Sequence, residues 1–293
     1  MVTTIHLQQI HYNPNDSLRP SPSSADPANG SISSTSSPSS QTKISNNVSG
    51  DPKGLESTTS SSPSSKPAST PTSPPRPKIR VIQSDTYDAV QLLLKEDPKS
   101  TSRIAALNMA SSYSPGGGFL NGALAQEETL CMRSTLYPSL SPSWYRLPEL
   151  AAIYSPDILV FSSPSLDFLP KSSWLFTDVI SVAALKQPET KLSEDRTRVV
   201  YEYERDKEVM LEKIRLIFQV ARGKGVRRLV LGALGCGAYG NPPEEVGRMF
   251  KKVILGDRKR NGVEGVDEIV FAIYGKDENL KVFSEVFKDV MEK

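Results

Sequence analysis

Histidine is almost missing from this chain of 293 residues, and its absence removes whole classes of catalysis. The only two, His6 and His11, stand near the N-terminus, ahead of a long Ser-, Pro- and Thr-rich segment. Ser-His-Asp and Cys-His machinery are therefore excluded from the folded part on inventory alone. Cysteine is equally scarce. Cys131 and Cys236 are too few for a zinc cluster, and each reads as an ordinary reduced thiol acting as a small buried hydrophobe. No apolar run approaches the length that crosses a bilayer, so no membrane contact is expected. The opening MVTTIHLQQIHYNPND has neither the apolar core of a signal peptide nor the arginines of a transit peptide, which makes cytosol or nucleus the expected compartment. Charge is close to balanced, with 35 basic and 33 acidic residues, and no basic stripe alternates with aromatics. A groove for sequence-specific nucleic acid is not indicated. Acid and base work must then fall to carboxylates, Lys or Tyr.

Large apolar and aromatic residues are missing from one stretch in particular. Asn13–Pro77 is dominated by Ser, Pro and Thr. Such a segment cannot bury enough surface to offset its ordering entropy, so residues 1–77 are predicted to form a disordered tail. Residues 78–293 remain, a size suited to one domain with a substantial core.

In that remainder, strand-like and helix-like runs alternate. KIRVI (Lys78–Ile82) predicts a strand, and Asp85–Glu96 a helix with Val90, Leu93 and Leu94 on one face. RIAALNM (Arg103–Met109) reads as a central strand, and a helix is expected from Gln126 towards Leu136. Ile158–Ser162 and Trp174–Ala184 flank a turn-rich stretch and predict a hairpin or paired edge. Arg196–Gly223 predicts a long amphipathic helix capped by Gly223. RRLVLGAL (Arg227–Leu234) is a second core strand, followed by a helix with Asn241 as N-cap, Pro in its first turn and Glu244 in a capping box. A strand at Glu268–Tyr274 and a helix at Glu278–Met291 close the domain. This alternation predicts an α/β fold with a mixed or mainly parallel sheet covered on both faces, its ligand at the carboxyl ends of the strands.

Two glycine loops follow the two core strands. The first holds Gly116, Gly117 and Gly118, then seven residues, then Gln126-Glu127-Glu128. Glycines there let backbone approach a bulky polar ligand, and a carboxylate pair beyond them supplies acid and base groups. Paired glutamates are more often a solvated first helical turn complementing the dipole. Their place after a triple glycine, in a domain without histidine, favours chemistry. The second loop, GCGAYG (Gly235–Gly240), resembles a phosphate cradle before a helix N-terminus; the bland alternative is a tight turn. Flanking glycines predict an exposed, ligand-stacking ring for Tyr239.

GGG-x7-QEE, preceded by Asn108 and followed by TLCMRSTLY, resembles the signature of the microbial-type poly(ADP-ribose) glycohydrolases, a branch of the macrodomain superfamily. VLGALGCGAYGNPPEEV is similar to the diphosphate loop of that family. The resemblance runs from about Lys78 to the C-terminus, with no counterpart for the low-complexity tail. It implies a three-layer α/β/α macrodomain with a mixed central sheet that binds the terminal ADP-ribose of a poly(ADP-ribose) chain. It further implies that Glu128 is the general acid and then the base, that Glu127 orients the ribose, and that Asn108, Gly116, Gly117, Gly118 and Gln126 position substrate. Gly235, Cys236, Gly237, Ala238, Tyr239 and Gly240 would wrap the diphosphate, with Tyr239 against the distal ribose. Asp85 stands where macrodomains often place an acid that recognises adenine.

The chemistry is coherent without the name. Cleaving a ribose–ribose bond passes through an oxocarbenium-like state and needs a proton on the leaving oxygen. Mutual repulsion and burial of two carboxylates keep one of them protonated near neutral pH. The scheme calls for no metal and no cofactor, and the expected partner is poly(ADP-ribose) or an ADP-ribosylated protein, met by a monomer. Alternatives are a module that only binds ADP-ribose, a hydrolase of mono-ADP-ribosylated proteins or small ADP-ribose metabolites, and a scaffold working through its tail.

Overall fold

A computed structural model describes residues 76–275 and 277–291. The predicted tail, residues 1–77, lies outside the described residues except for its last two. Five strands are parallel: β1 (Lys78–Gln83), β2 (Arg103–Met109), β4 (Leu175–Val182), β7 (Val226–Leu231) and β8 (Glu268–Ile273). β3 (Ile153–Val160) joins β4 antiparallel at one edge, giving the order β1-β8-β7-β2-β4-β3.

Alternation along the strands builds two cores. On β2, Ile104 and Ala106 face a cluster with Tyr87, Val90 and Leu93 of α1 (Thr86–Glu96) and Leu130 of α2 (Gln126–Arg133). Leu136, from the short α3 (Leu136–Ser139), joins them. Ala105 and Leu107 point the other way, towards α4 (Glu204–Gly223), α5 (Pro243–Leu255) and α6 (Asp277–Phe287). There Phe271 of β8 lies 5.3 Å from the Phe250 ring and 4.7 Å from Phe287, an aromatic packing that clamps two helices to one strand. The result is the expected three-layer α/β/α sandwich with a mixed sheet.

Several local expectations are corrected. The chain before Glu204 is not helical: Val199–Tyr201 is a short strand, β6, paired with β5 (Thr190–Leu192). Two adjacent valines and a tyrosine favour extended backbone, and the helical pattern begins only beyond them. Gly223 is the last residue of α4, and the left-handed conformation that closes the helix falls to Gly225, at φ 67°. β3 starts at Ile153, five residues ahead of the predicted strand, and runs through Pro156 and Asp157 by a bulge with Asp157 at φ 53°. An edge strand tolerates Pro at a bulge, where no ladder bond is demanded of it. α2 ends at Arg133 and α6 at Phe287, both short of the predicted limits. Asn241 does not cap α5. Pro242 occupies that position, and Glu244 pairs with Arg248 instead of closing a capping box.

Candidate active site

The carboxyl ends of all five parallel strands open on one edge of the sheet, so the segments following them converge there. β7 pairs with β2 only as far as Ala106. Beyond it the Gln126 side chain takes over: its oxygen accepts from Met109 N at 2.9 Å, and its amide nitrogen donates to Leu107 O at 2.7 Å and Thr86 Oγ1 at 3.2 Å. Gln126 thus docks the start of α2 onto the end of β2, and its amide is occupied by protein rather than open to ligand. This docking drives the next two side chains inward.

Glu127 and Glu128 are 3 % and 7 % exposed, so they are not a solvated first turn. Glu127 Oε2 accepts from Ser111 N at 2.6 Å, and its Oε1 from Asn108 Nδ2 at 3.3 Å. Asn108 Nδ2 also donates to Ser181 Oγ at 3.0 Å, across the β2–β4 register that sets the two residues side by side. Glu128 Oε1 accepts from Gly118 N at 2.8 Å. Two buried acceptors of the cluster are left without any partner, Glu128 Oε2 and Asn108 Oδ1. Native interiors rarely leave such atoms unpaired, and where they do, a binding or catalytic role is a common reason.

The triple glycine folds against these carboxylates. Gly117 has φ +57°, and a Cβ on it would stand 2.6 Å from Glu128 Oε1 and 2.8 Å from Glu127 Oε2. Burial pushes the Glu127 carboxyl up to about 7; the Ser111 and Asn108 donors oppose the rise and the Glu128 charge adds to it. Cys131 is buried behind the pair, its thiol pushed up to about 12 by burial and by both glutamates, so it stays protonated, as the sequence indicates.

This burial has a consequence for stability. A carboxyl raised from its ordinary value of 4.5 to about 7 in the folded state takes up protons on folding between those limits. Stability from this group is full below pH 4.5 and lost as pH climbs through 7, a cost on the order of 3 kcal/mol for complete ionisation. Urea unfolding at pH 5 and pH 8 is expected to show a weaker protein at the higher pH and a much smaller difference in Glu127→Gln. Equal pH dependence in both proteins would mean that Glu127 ionises freely.

The second loop follows β7. Gly235, at φ +72°, is wedged where a Cβ would come within 2.5 Å of both Ala184 and Asn241. Asn241 is buried beneath the loop and fastens it, donating to Leu185 O at 2.7 Å and Gly235 O at 3.1 Å while accepting from Tyr201 Oη at 2.9 Å. The turn closes with Gly240 N donating to Gly237 O at 3.0 Å. Among the described residues no acceptor takes the N–H groups of Gly237, Ala238 or Tyr239. Three successive N–H donors thus stand free ahead of the α5 N-terminus, an arrangement chemically able to receive an anion. Cys236 is half-buried, its thiol pushed up by burial. Tyr239 is half-buried rather than exposed; its hydroxyl reaches the Ser111 side chain and it feels both glutamates, so it spans the two loops.

Asp85 caps α1, its Oδ1 accepting from Tyr87 N at 2.8 Å and Asp88 N at 3.3 Å and pairing with Arg133. The residue also lines an open depression with Gln83, Ser84, Asp88, Tyr274 and Gly275. The sequence reading missed Arg133, which is 2 % exposed and lies over the Tyr87 ring, fixing α2 to α1. It also missed Ser111, Ser181 and Tyr274. Only strand register could reveal Ser181, whereas Tyr274, directly after the last strand, was open to the same rule that singled out the two loops.

A family model described as "Microbial-type PARG, catalytic domain" matches residues 33–163. The match begins inside the Ser/Pro-rich segment, earlier than the Lys78 limit drawn from composition, and stops short of the second loop. No curated protein sequence matches the chain. Among solved structures, poly(ADP-ribose) glycohydrolase from Thermomonospora curvata aligns at 30 % identity and TM-score 0.62, over 75 % of this chain and 80 % of its own. The same protein bound to the inhibitor ADP-HPD aligns at 30 % and 0.58, over 71 % and 78 %. The enzyme from Deinococcus radiodurans in complex with ADP-ribose aligns at 26 % and 0.60, over 74 % and 86 %. With 30 % identity to the Thermomonospora curvata enzyme over most of both chains and the family match across the first loop and the paired glutamates, the chain belongs to the microbial-type poly(ADP-ribose) glycohydrolase family.

Proposed function

We propose that residues 78–293 form a glycohydrolase that cleaves the ribose–ribose O-glycosidic bond of poly(ADP-ribose) and releases ADP-ribose. The observation that carries this reading is the pair of buried, unpartnered acceptors, Glu128 Oε2 and Asn108 Oδ1, beside the glycine loop. A module that merely binds ADP-ribose has no use for an unpaired carboxylate oxygen at the ribose.

In this mechanism the Gly237, Ala238 and Tyr239 N–H groups hold the diphosphate, and Gly116–Gly118 bring backbone against the terminal ribose. Asn108 and Glu127 orient the ribose hydroxyls; Gln126 contributes by holding α2 in place. The Glu128 carboxyl gives its proton to the departing ribose oxygen as the anomeric C–O bond breaks. Positive charge develops on the anomeric carbon and its ring oxygen, close to the diphosphate. Water then adds to that carbon and returns a proton to Glu128, which restores the enzyme. Burial raises the Glu127 carboxyl to about 7, so Glu127 is itself partly protonated near neutral pH. Asp85 and the exposed Tyr274 are assigned to the adenine end.

Incubation with automodified polymer is expected to yield free ADP-ribose; failure to release any would leave only a binding role. ADP-ribose is also expected to raise the melting temperature, by about 2.7 kcal/mol of stabilisation at a hundredfold excess over Kd, and AMP to raise it less. Gly237 faces open space and does not use the left-handed backbone, so Gly237→Val should fold normally and yet lose the shift, its methyls occupying the phosphate position. An unaltered shift in that variant would remove the loop from the site.

A further inference from the structure

The assignment of ADP-ribose to this edge gives the ligand a direction. Asp85 and Tyr274 follow β1 and β8, residues 235–240 follow β7, and Asn108–Gly118 follow β2, in that spatial order. A terminal unit laid along them ends with its reacting ribose at β2. The next strand across is β4, so whatever remains attached to that ribose continues over the segment after β4.

Lys186 stands in that segment, and with Arg146, from the stretch before β3, it gathers on Tyr113, a residue 56 % exposed at the edge of the β2 loop. Arg146 Cζ lies 5.3 Å and Lys186 Nζ 5.6 Å from its ring centroid. Both cations are exposed, and neither forms an ion pair among the described residues. Elsewhere arginines are routinely paired, as in Arg103 with Asp178 and Arg227 with Asp267. The three side chains come from separate segments, each tied to the site. Tyr113 N donates to Ser111 Oγ at 3.1 Å, two residues from the backbone N–H that holds Glu127. Leu147 N, next to Arg146, donates to Ser112 O at 2.8 Å, and Gln187 N, next to Lys186, donates to Tyr239 O at 2.8 Å. Two like charges held together on one aromatic ring, with no carboxylate between them, form an anion site at the rim of the cleft.

We propose that Arg146 and Lys186, gathered on Tyr113, bind the diphosphate of the ADP-ribose unit adjoining the one released. This rests on the glycohydrolase reading and extends it to the leaving side of the scissile bond: two phosphate charges meet two cations, and polymer is favoured over a single unit.

The test is the full-length Arg146→Ala/Lys186→Ala double variant, assayed on polymer and titrated with free ADP-ribose. KM for polymer is expected to rise about tenfold, with kcat within about twofold, because each lost charge-assisted contact weakens ground-state and transition-state binding alike. The rise of KM with salt should become shallower, as expected when fewer counterions are released on binding a polyanion. Affinity for free ADP-ribose, which lacks the second unit, should match wild type, and Arg146→Lys/Lys186→Arg should keep the low KM. An unchanged KM and salt slope in an otherwise active enzyme overturns the subsite alone. Parallel loss of ADP-ribose affinity would put the cations on the terminal unit and overturn it too. A wild type that neither binds ADP-ribose nor cleaves polymer overturns the function and the subsite together.

Discussion

Glu128→Gln is expected to lower the rate of ADP-ribose release by about 10²–10⁴-fold, the range that a general acid contributes. The substitution keeps the size of the side chain and an oxygen able to accept from Gly118 N, now at 2.8 Å from Glu128 Oε1. It removes only the capacity to give up and recover a proton. Binding of ADP-ribose should therefore persist, since the phosphate donors of the second loop and the Asn108 side chain are untouched. The measurement is single-turnover release from polymer beside a thermal-shift titration with ADP-ribose. Turnover close to wild type would take Glu128 out of the mechanism, whatever its burial.

Gly117→Ala is expected to lower kcat/KM by about a hundredfold, the scale of a 1 Å displacement of reacting groups. Its Cβ would stand 2.6 Å from Glu128 Oε1 and 2.8 Å from Glu127 Oε2, so both carboxylates must give way at once. The left-handed backbone, at φ +57°, adds about 1–2 kcal/mol of destabilisation. Gly122 separates the two effects: it has φ +75° but nothing within 4 Å of a Cβ. Gly122→Ala should thus lose comparable stability while keeping turnover. If both variants lose stability and neither loses activity, the close packing of the glycine loop on the carboxylates is incidental to function.

Much of the site was legible because its requirements are local. Three glycines, a seven-residue spacer and two glutamates form one continuous segment, and a histidine-free inventory left carboxylates as the principal acids. Residues 235–240 were legible for the same reason, as a strand-to-helix turn built from small residues. The α/β class followed from apolar runs alternating with helical periods. The places where the reading failed are those where a local signal met a stronger tertiary one. Val199–Tyr201 sits next to a helical pattern, yet pairs with β5. Asn241 has the composition of a helix cap, but the need to satisfy Leu185 O, Gly235 O and Tyr201 Oη beneath the loop claims it. The strand expected at Ile158–Ser162 begins instead at Ile153, because an edge bulge lets the pairing with β4 continue through Pro156.

The sequence alone determined the fold class, the two glycine loops and the carboxylate pair, since backbone freedom and residue chemistry are written position by position. It could not say which carboxyl is raised, because that depends on how deeply the docking of α2 on the end of β2 buries Glu127, against the opposing donors Ser111 and Asn108. Nor could it pair Asn108 with Ser181, set Arg133 on Asp85, or gather Arg146 and Lys186 on Tyr113. Those contacts join residues dozens of positions apart, and only strand order and register bring them within reach of one another.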